Sequence, residues 1–134
     1  MDLAAIQQTT EGLFPELLGI EFTEATPDRV AARLTVREEL CTLPGLLHGG
    51  AIMAFADTLG AYGTSIALAG GRTTTIESKT NFFGRVETGE SLTAVATPLH
   101  KGRTTQVWQT RLEVGDRLVA VVTQTQLVFA AAPS

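Results

Sequence analysis

One charged side chain, Asp57, stands in the segment GGAIMAFADTLGAYGTSIALA that follows His48. A carboxylate can act as a general base towards water or as a nucleophile towards an acyl carbon. The pair Gly49-Gly50 offers the complementary chemistry. Where a helix begins, its first N–H groups lack intrahelical acceptors and carry the positive end of the dipole, and glycines leave them sterically open. Such donors suit the oxyanion of an acyl transfer, with a carboxylate as the second component. A buried, unpaired carboxylate is costly, so Asp57 needs a partner, water or a function. An acid on an exposed helix edge or bonded to a neighbouring hydroxyl, preceded by a flexible helix entry, is the purely structural alternative.

The spacing constrains how these groups can cooperate. Asp57 lies eight residues beyond Gly49, or about 12 Å along a helix that rises ~1.5 Å per residue. A base and an oxyanion donor must both reach one reacting group, so one helix cannot supply both. Two antiparallel copies related by a twofold axis can, because the start of one helix then lies beside the middle of the other. The expectation is a homodimer with two composite sites, and dimers pairing into a tetramer.

The elements that must position these residues follow from periodicity. Asp2 to Leu18 reads as a short, imperfect helix, weakened by Thr9, Thr10 and Gly12. From Ile20 to Val36 the pattern has period two, with Val30, Ala32, Leu34 and Val36 on one face of a hairpin. A loop through Pro44 and Gly45 leads into the principal helix, Gly49 to Ala69, stopped by Gly70-Gly71. On its wheel Ile52, Phe55, Ala56, Leu59 and Ile66 form an apolar stripe, while Asp57 shares a second stripe with Gly50, Met53, Ala54, Gly60, Ala61 and Thr64. These are mostly small residues that allow close approach of another backbone.

Four strand-like runs follow: Thr73 to Phe83, Ser91 to His100, Thr104 to Val114 and Arg117 to Phe129. An antiparallel sheet of about six strands buries one long apolar helix most simply by wrapping around it. That is an α+β fold of the hotdog type, and helices laid on one open sheet face are the main alternative. The whole chain, 1–134, reads as a single domain, with a loose tail AAAPS.

The segment LHGGAIMAFADTLGAYG resembles the motif of PaaI-like hotdog acyl-CoA thioesterases, the group that includes aryl-CoA and hydroxybenzoyl-CoA hydrolases. The resemblance continues through TTTIESKTNFFGRVETGE and PLHKGRTTQVWQTRL. It implies that the Gly49 N–H polarises the thioester carbonyl, that His48 shapes the turn with Gly50 beside it, and that Asp57 of the other subunit is the catalytic carboxylate. It implies an acyl-CoA substrate with an aryl or medium-chain acyl group and no separate cofactor, since coenzyme A is part of the substrate.

Two positions depart from the family pattern. Thr42 stands where relatives often carry Asn or Gln near the thioester. Ala61 stands where some place Ser or Thr to hold water, leaving Thr75 or Thr58 as substitutes. For the CoA phosphates the hairpin HKGRTT offers Lys101, Arg103, Thr104 and Thr105, with Arg85 in a preceding turn; a solvated basic hairpin is the plain alternative. Phe82 or Phe83 fit strand packing first, and either could border an acyl pocket, whereas Trp108 reads as strand packing.

Other classes fare less well. A hotdog hydratase needs a paired Asp and His, and the residue five after Asp57 is Tyr62. A non-catalytic acyl-CoA sensor on the same fold is the remaining alternative. Net charge −4 without a basic cluster argues against a nucleic acid partner. No apolar run reaches the ~20 residues of a membrane span. Cys41 with His48 has no geometry for a thiol nucleophile, and two histidines with one cysteine give no metal-ligand spacing. The absence of a signal-like N-terminus points to the cytoplasm.

Overall fold

The structure is a computed structural model that describes residues 2–69 and 71–129. Gly70, half of the expected helix stop, and residues 130–134, the expected loose tail, lie outside the described residues. The elements in chain order are α1 (Leu3–Gln8), α2 (Phe14–Leu18), β1 (Glu21–Thr26), β2 (Arg29–Thr35), a 3₁₀ turn (Glu38–Leu40), β3 (Cys41–Leu43), β4 (Leu46–Leu47), α3 (Gly49–Ala67), β5 (Arg72–Phe82), β6 (Ser91–Lys101), β7 (Thr105–Val114) and β8 (Arg117–Phe129).

The expected N-terminal helix is two short ones. Asp2 caps α1 through a bond from the Ala5 N–H, and the chain then turns at Gly12, whose φ of 73° suits glycine. Pro15 stands in the first turn of α2, where its missing N–H removes nothing. Arg37 donates to the carbonyls of Leu17 and Leu18 and fastens α2 to the body of the protein.

Six strands form one antiparallel sheet in the order β1-β2-β6-β7-β8-β5. α3 touches all six and fills the concave side. This is the hotdog arrangement. The alternation read from the sequence holds: Val30, Ala32 and Leu34 of β2, Leu92, Ala94 and Ala96 of β6, and Ala120 and Val122 of β8 all point inward and are buried.

The inner face of α3 is Ile52, Phe55, Ala56, Leu59, Gly60, Gly63 and Thr64. Gly60 and Thr64, expected on the Asp57 stripe, therefore belong to the buried side. The reason is bulk on the sheet. A Cβ on Gly60 would come within 2.4 Å of the Gln124 carboxamide, and one on Gly63 within 2.4 Å of the Trp108 ring. Two large inward side chains fit only because the helix is bare where they meet it.

α3 stops at Ala67, two residues before the expected end, with Leu68 as its cap and Ala69 at a φ of 50°. The loop around Pro44 is not irregular throughout, because β3 and β4 pair as a short ribbon, and the Leu47 N–H donates to the Val86 carbonyl at 2.9 Å. Phe82 and Phe83, assigned first to strand packing, are 51% and 61% exposed. Phe82 ends β5, an edge strand, where its ring lies against the start of α3 at Gly49 rather than in the core, and Phe83 lies just beyond the strand. Trp108 is fully buried, as expected.

Gly63→Ala should destabilise the fold by ~1–3 kcal/mol through overpacking against Trp108, although helix propensity alone would make Ala stabilising by up to ~1 kcal/mol. Urea denaturation decides the sign, and a gain in stability would contradict this packing.

Candidate active site

α3 begins at His48, which has extended backbone and acts as the N-cap. Its Nδ1 accepts the Gly50 N–H at 2.7 Å. That bond places the imidazole proton on Nε2 in the neutral ring. A Cβ on Gly50 would lie 2.8 Å from this Nδ1, so the capping geometry depends on glycine there. The Gly50 N–H is thus used internally, whereas the Gly49 N–H has no acceptor among the described residues. Of the two glycines, Gly49 is the one with a donor to give.

The Phe82 ring lies over Gly49, 3.3 Å from where a Cβ would be. Arg85 directly precedes Val86, the partner of Leu47, so it too belongs to this end of α3, where it pairs with Glu87 at 3.5 Å. Thr42 is exposed in β3, next to Cys41, which lines a cavity of about 400 Å³ together with His48 and Gly50. The loop into α3 is tied down by Glu38, which accepts from the Gly45 N–H and the Thr88 hydroxyl, both at 2.8 Å. The Thr88 bond first, then Gly45, holds this exposed carboxyl below its ordinary pKa. The tie therefore persists above the ordinary carboxylate range and is lost only as pH falls through the lowered value.

Asp57 occupies a second cluster. Thr75 Oγ1 donates to Asp57 Oδ1 at 2.6 Å. The fully buried Gln124 reaches the Asp57 carbonyl at 3.3 Å and Oδ1 at 3.4 Å through Nε2. Behind Thr75, the buried Gln126 donates to Thr75 Oγ1 at 2.6 Å and accepts from Thr73 Oγ1 at 2.9 Å. Both side chains that donate to the Asp57 carboxylate, Thr75 and Gln124, reach Oδ1, and Oδ2 has no partner among the described residues. Thr75 sits where β5 carries an irregularity, with Ile76 as the extra residue; such bulges re-aim side chains beside sites.

The other sequence candidates divide. Thr58 donates its hydroxyl to the Ala54 carbonyl at 2.8 Å, a local helix bond that commits its proton. Lys101 is paired with Asp28 of the β1–β2 turn at 2.8 Å rather than with the rest of its hairpin. Arg103 and Thr104 are exposed at the hairpin tip, and Thr105 opens β7 half-buried. Lys101, Gln106, Gln126 and Thr75 are successive register partners across β6, β7, β8 and β5. The hairpin therefore lies three strand spacings, about 14 Å, from Thr75. Gln124 and Gln126 escaped the sequence reading, although their spacing from Val122 puts them on the inner parity of β8. Among the described residues no three His, Cys, Asp or Glu side chains are grouped to hold a metal ion, and no helix is long and apolar enough to cross a membrane.

Comparison with known proteins assigns the family. Residues 44–121, from the loop before His48 through most of the sheet, match the Thioesterase superfamily. The chain belongs to the thioesterase superfamily. This thioesterase is 33% identical over 109 residues to the proofreading thioesterase EntH of Cronobacter turicensis, covering 81% of this chain and 80% of the relative. It is 30% identical over 124 residues to 1,4-dihydroxy-2-naphthoyl-CoA thioesterase 2 of Arabidopsis thaliana, covering 88% and 79%. Its fold superposes on the crystal structure of a thioesterase from Haemophilus influenzae with a TM-score of 0.93 at 29% identity, over 99% of this chain and 94% of that one. The chain is a thioester hydrolase on the hotdog fold.

The Asp57 cluster makes a prediction independent of catalysis. Thr75→Val removes an acceptor from buried Gln126 and a donor from Asp57, and should lower stability by ~1–3 kcal/mol. Thr74→Val, on the opposite and exposed face, should stay within ~0.5 kcal/mol. Equal effects in urea denaturation would contradict the hydrogen-bond chain.

Proposed function

We propose that this thioesterase hydrolyses an aryl- or medium-chain acyl-CoA to the free acid and CoA, with Asp57 of one copy and the Gly49 N–H of a second copy at one site. The carrying observation is the pair of groups unused among the described residues: Asp57 is held through Oδ1 with Oδ2 open, and the Gly49 N–H lacks an acceptor. They are about 12 Å apart along one helix, which favours their meeting between antiparallel helices of two copies. β5 supports such pairing. It is an edge strand of 11 residues, bearing exposed Ile76 and Phe82 and followed by exposed Phe83, and a long edge with its outer row of backbone groups unpaired is a template for another chain. The outer stripe of α3, with Gly50, Ala54 and Ala61 around Asp57, is slim enough for close approach. Two such dimers could pair in turn.

In this reading Asp57 Oδ2 takes a proton from a water, whose oxygen bonds to the thioester carbon. The carbonyl π electrons move onto oxygen, and that oxyanion accepts the Gly49 N–H at the positive end of α3. Collapse re-forms the carbonyl and breaks the C–S bond; the thiolate leaves and recovers the proton from Asp57. Thr75 and Gln124 hold the carboxylate so that Oδ2 faces the water, which makes a base role more economical than nucleophilic attack. His48 holds the turn through Gly50, and Phe82 borders the Gly49 entry. Thr42, exposed beside that entry, is left with a water-mediated contact to the thioester. Neither Thr58, whose proton is committed, nor Ala61 positions the water.

Arg103 and Thr104 at the hairpin tip suit the CoA phosphates, with Thr105 beside them. Lys101 would have to leave Asp28, and Arg85 would act from the other end of the site. No step calls for a cofactor. A relative named for a naphthoyl-CoA supports an aryl acyl group.

Asp57→Asn tests the reading. Thiol release from a panel of aryl, short, medium and long acyl-CoAs should fall by ~10²–10⁴ in kcat, with KM changed little. Retained turnover would overturn the assignment of Asp57.

A further inference from the structure

Thr75 has one hydroxyl hydrogen and two polar neighbours at 2.6 Å, the Gln126 side-chain amide and Asp57 Oδ1. Which of them receives the hydrogen decides how the carboxylate is presented. We infer that Gln126 is a positioning residue for hydrolysis: by donating to Thr75 it sends that hydrogen to Asp57 Oδ1 and leaves Oδ2 as the oxygen that exchanges a proton with water and thiolate. The inference rests on the proposed role of Asp57.

The direction of the chain follows from counting hydrogens. A carboxamide nitrogen donates and does not accept, and a carboxylate accepts and does not donate. With Gln126 Nε2 on one side of Thr75 Oγ1, the hydroxyl hydrogen therefore goes to Asp57 on the other. Turned over, the carboxamide would set its own oxygen against Thr75. One hydrogen would then face two acceptors, and one oxygen pair at 2.6 Å would be left with nothing between them. Thr73 serves either orientation, because its hydroxyl lies 2.9 Å from the Leu127 carbonyl as well as from Gln126 Oε1. The amide and the acid thus fix each other through Thr75, and a proton taken up by Asp57 is steered to Oδ2.

Gln124 is less suited to this task. Its Nε2 is shared between the Asp57 carbonyl at 3.3 Å and Oδ1 at 3.4 Å, and its Oε1 is buried without a partner among the described residues. Gln126 is fully buried between its register partners, Thr75 of β5 and Gln106 of β7. Gln106 is buried too, but its oxygen accepts from the Trp108 indole at 2.9 Å. The two glutamines share one row of the sheet, and only Gln126 is bonded to Thr75.

Thiol release from the panel of acyl-CoAs tests the inference on the ester the native chain turns over fastest. Gln126→Met keeps the length of the side chain and removes the donor, and should lower kcat about three- to tenfold, the contribution of one hydrogen bond, with KM little changed. In a Thr75→Val background the same change should leave kcat within about twofold, because its effect passes through the Thr75 hydroxyl. Gln106→Met should also keep kcat within about twofold, whatever it does to stability. A native kcat in Gln126→Met overturns the inference. So does an equal loss with and without the Thr75 hydroxyl, or a loss in Gln106→Met as large as in Gln126→Met, either of which marks a packing effect. Gln126→Glu covers a Gln126→Met chain that does not fold. Its carboxyl donates to Thr75 while protonated and only accepts once ionised, so kcat relative to the native chain should be near one at about pH 5 and fall as pH rises. A relative kcat that rises with pH overturns the inference. Asp57→Asn separates the two claims. Activity lost there but native in Gln126→Met counts against this inference alone, whereas retained turnover in Asp57→Asn overturns the proposed function and the inference with it.

Discussion

A carboxylate in the wall of an apolar helix must be given donors or be expelled, and the interior of this protein is arranged around that requirement. Asp57 is the one charged side chain of α3, and the sheet answers it with Thr75 and Gln124, backed by Gln126 and Thr73. Burying two glutamines is costly unless their groups are paired, and most of theirs are; Gln124 Oε1 is a buried atom left without a partner. Space for Gln124 comes from Gly60, where a side chain would collide with it. The irregularity in β5 adjoins Thr75. Acid, amides, glycine and bulge form one solution to one electrostatic problem, and the by-product is a carboxylate with a free oxygen in a defined direction.

The second constraint is the rise of the helix. His48 spends its Nδ1 on Gly50, leaving Gly49 as the open donor at the N-terminus, while Asp57 stands more than two turns away. A rigid α-helix cannot fold back on itself, so the separation is permanent within one copy. In the proposed assembly the same rigidity becomes useful, because antiparallel pairing sets each donor beside the other copy's acid without either helix having to bend. The slim outer stripe around Asp57 and the open edge of β5 are the surfaces such pairing would cover.

How much of this could be read from residues alone varied with the length of the signal. The nineteen-residue helix and the four long strands carry enough repeats for periodicity to place them to within two residues. The ribbon of β3 and β4, three and two residues long, is shorter than any period and read as loop. The N-terminal helix read as one because Leu3, Ile6, Leu13 and Leu17 keep rough spacing across the turn at Gly12. Within the site, His48, Gly49 and Asp57 stood out by residue type, and Thr75 only as a hydroxyl that could stand in for the one Ala61 lacks. Gln124 and Gln126 did not, because a glutamine at an inward strand position announces only that some partner exists. Tyr62 was read for what it is not, a histidine, and its pairing with Thr9 joins segments more than fifty residues apart. Thr58 and Lys101 looked available by type, but nearer partners, the Ala54 carbonyl and Asp28, take them up.

The central claim is that Asp57 serves the Gly49 of another copy. It is tested most directly by mixing Asp57→Asn chains with Gly49→Pro chains, the latter removing the N–H at a first helical position that tolerates proline, with the added ring set against the Phe82 side chain at its exposed edge. With subunit exchange verified by mass spectrometry, random pairing makes half the dimers mixed, each with one intact composite site, so activity should return to roughly a quarter of the native value per chain. Activity that stays at the level of the two parent variants, with mixed dimers demonstrably present, would contradict the account.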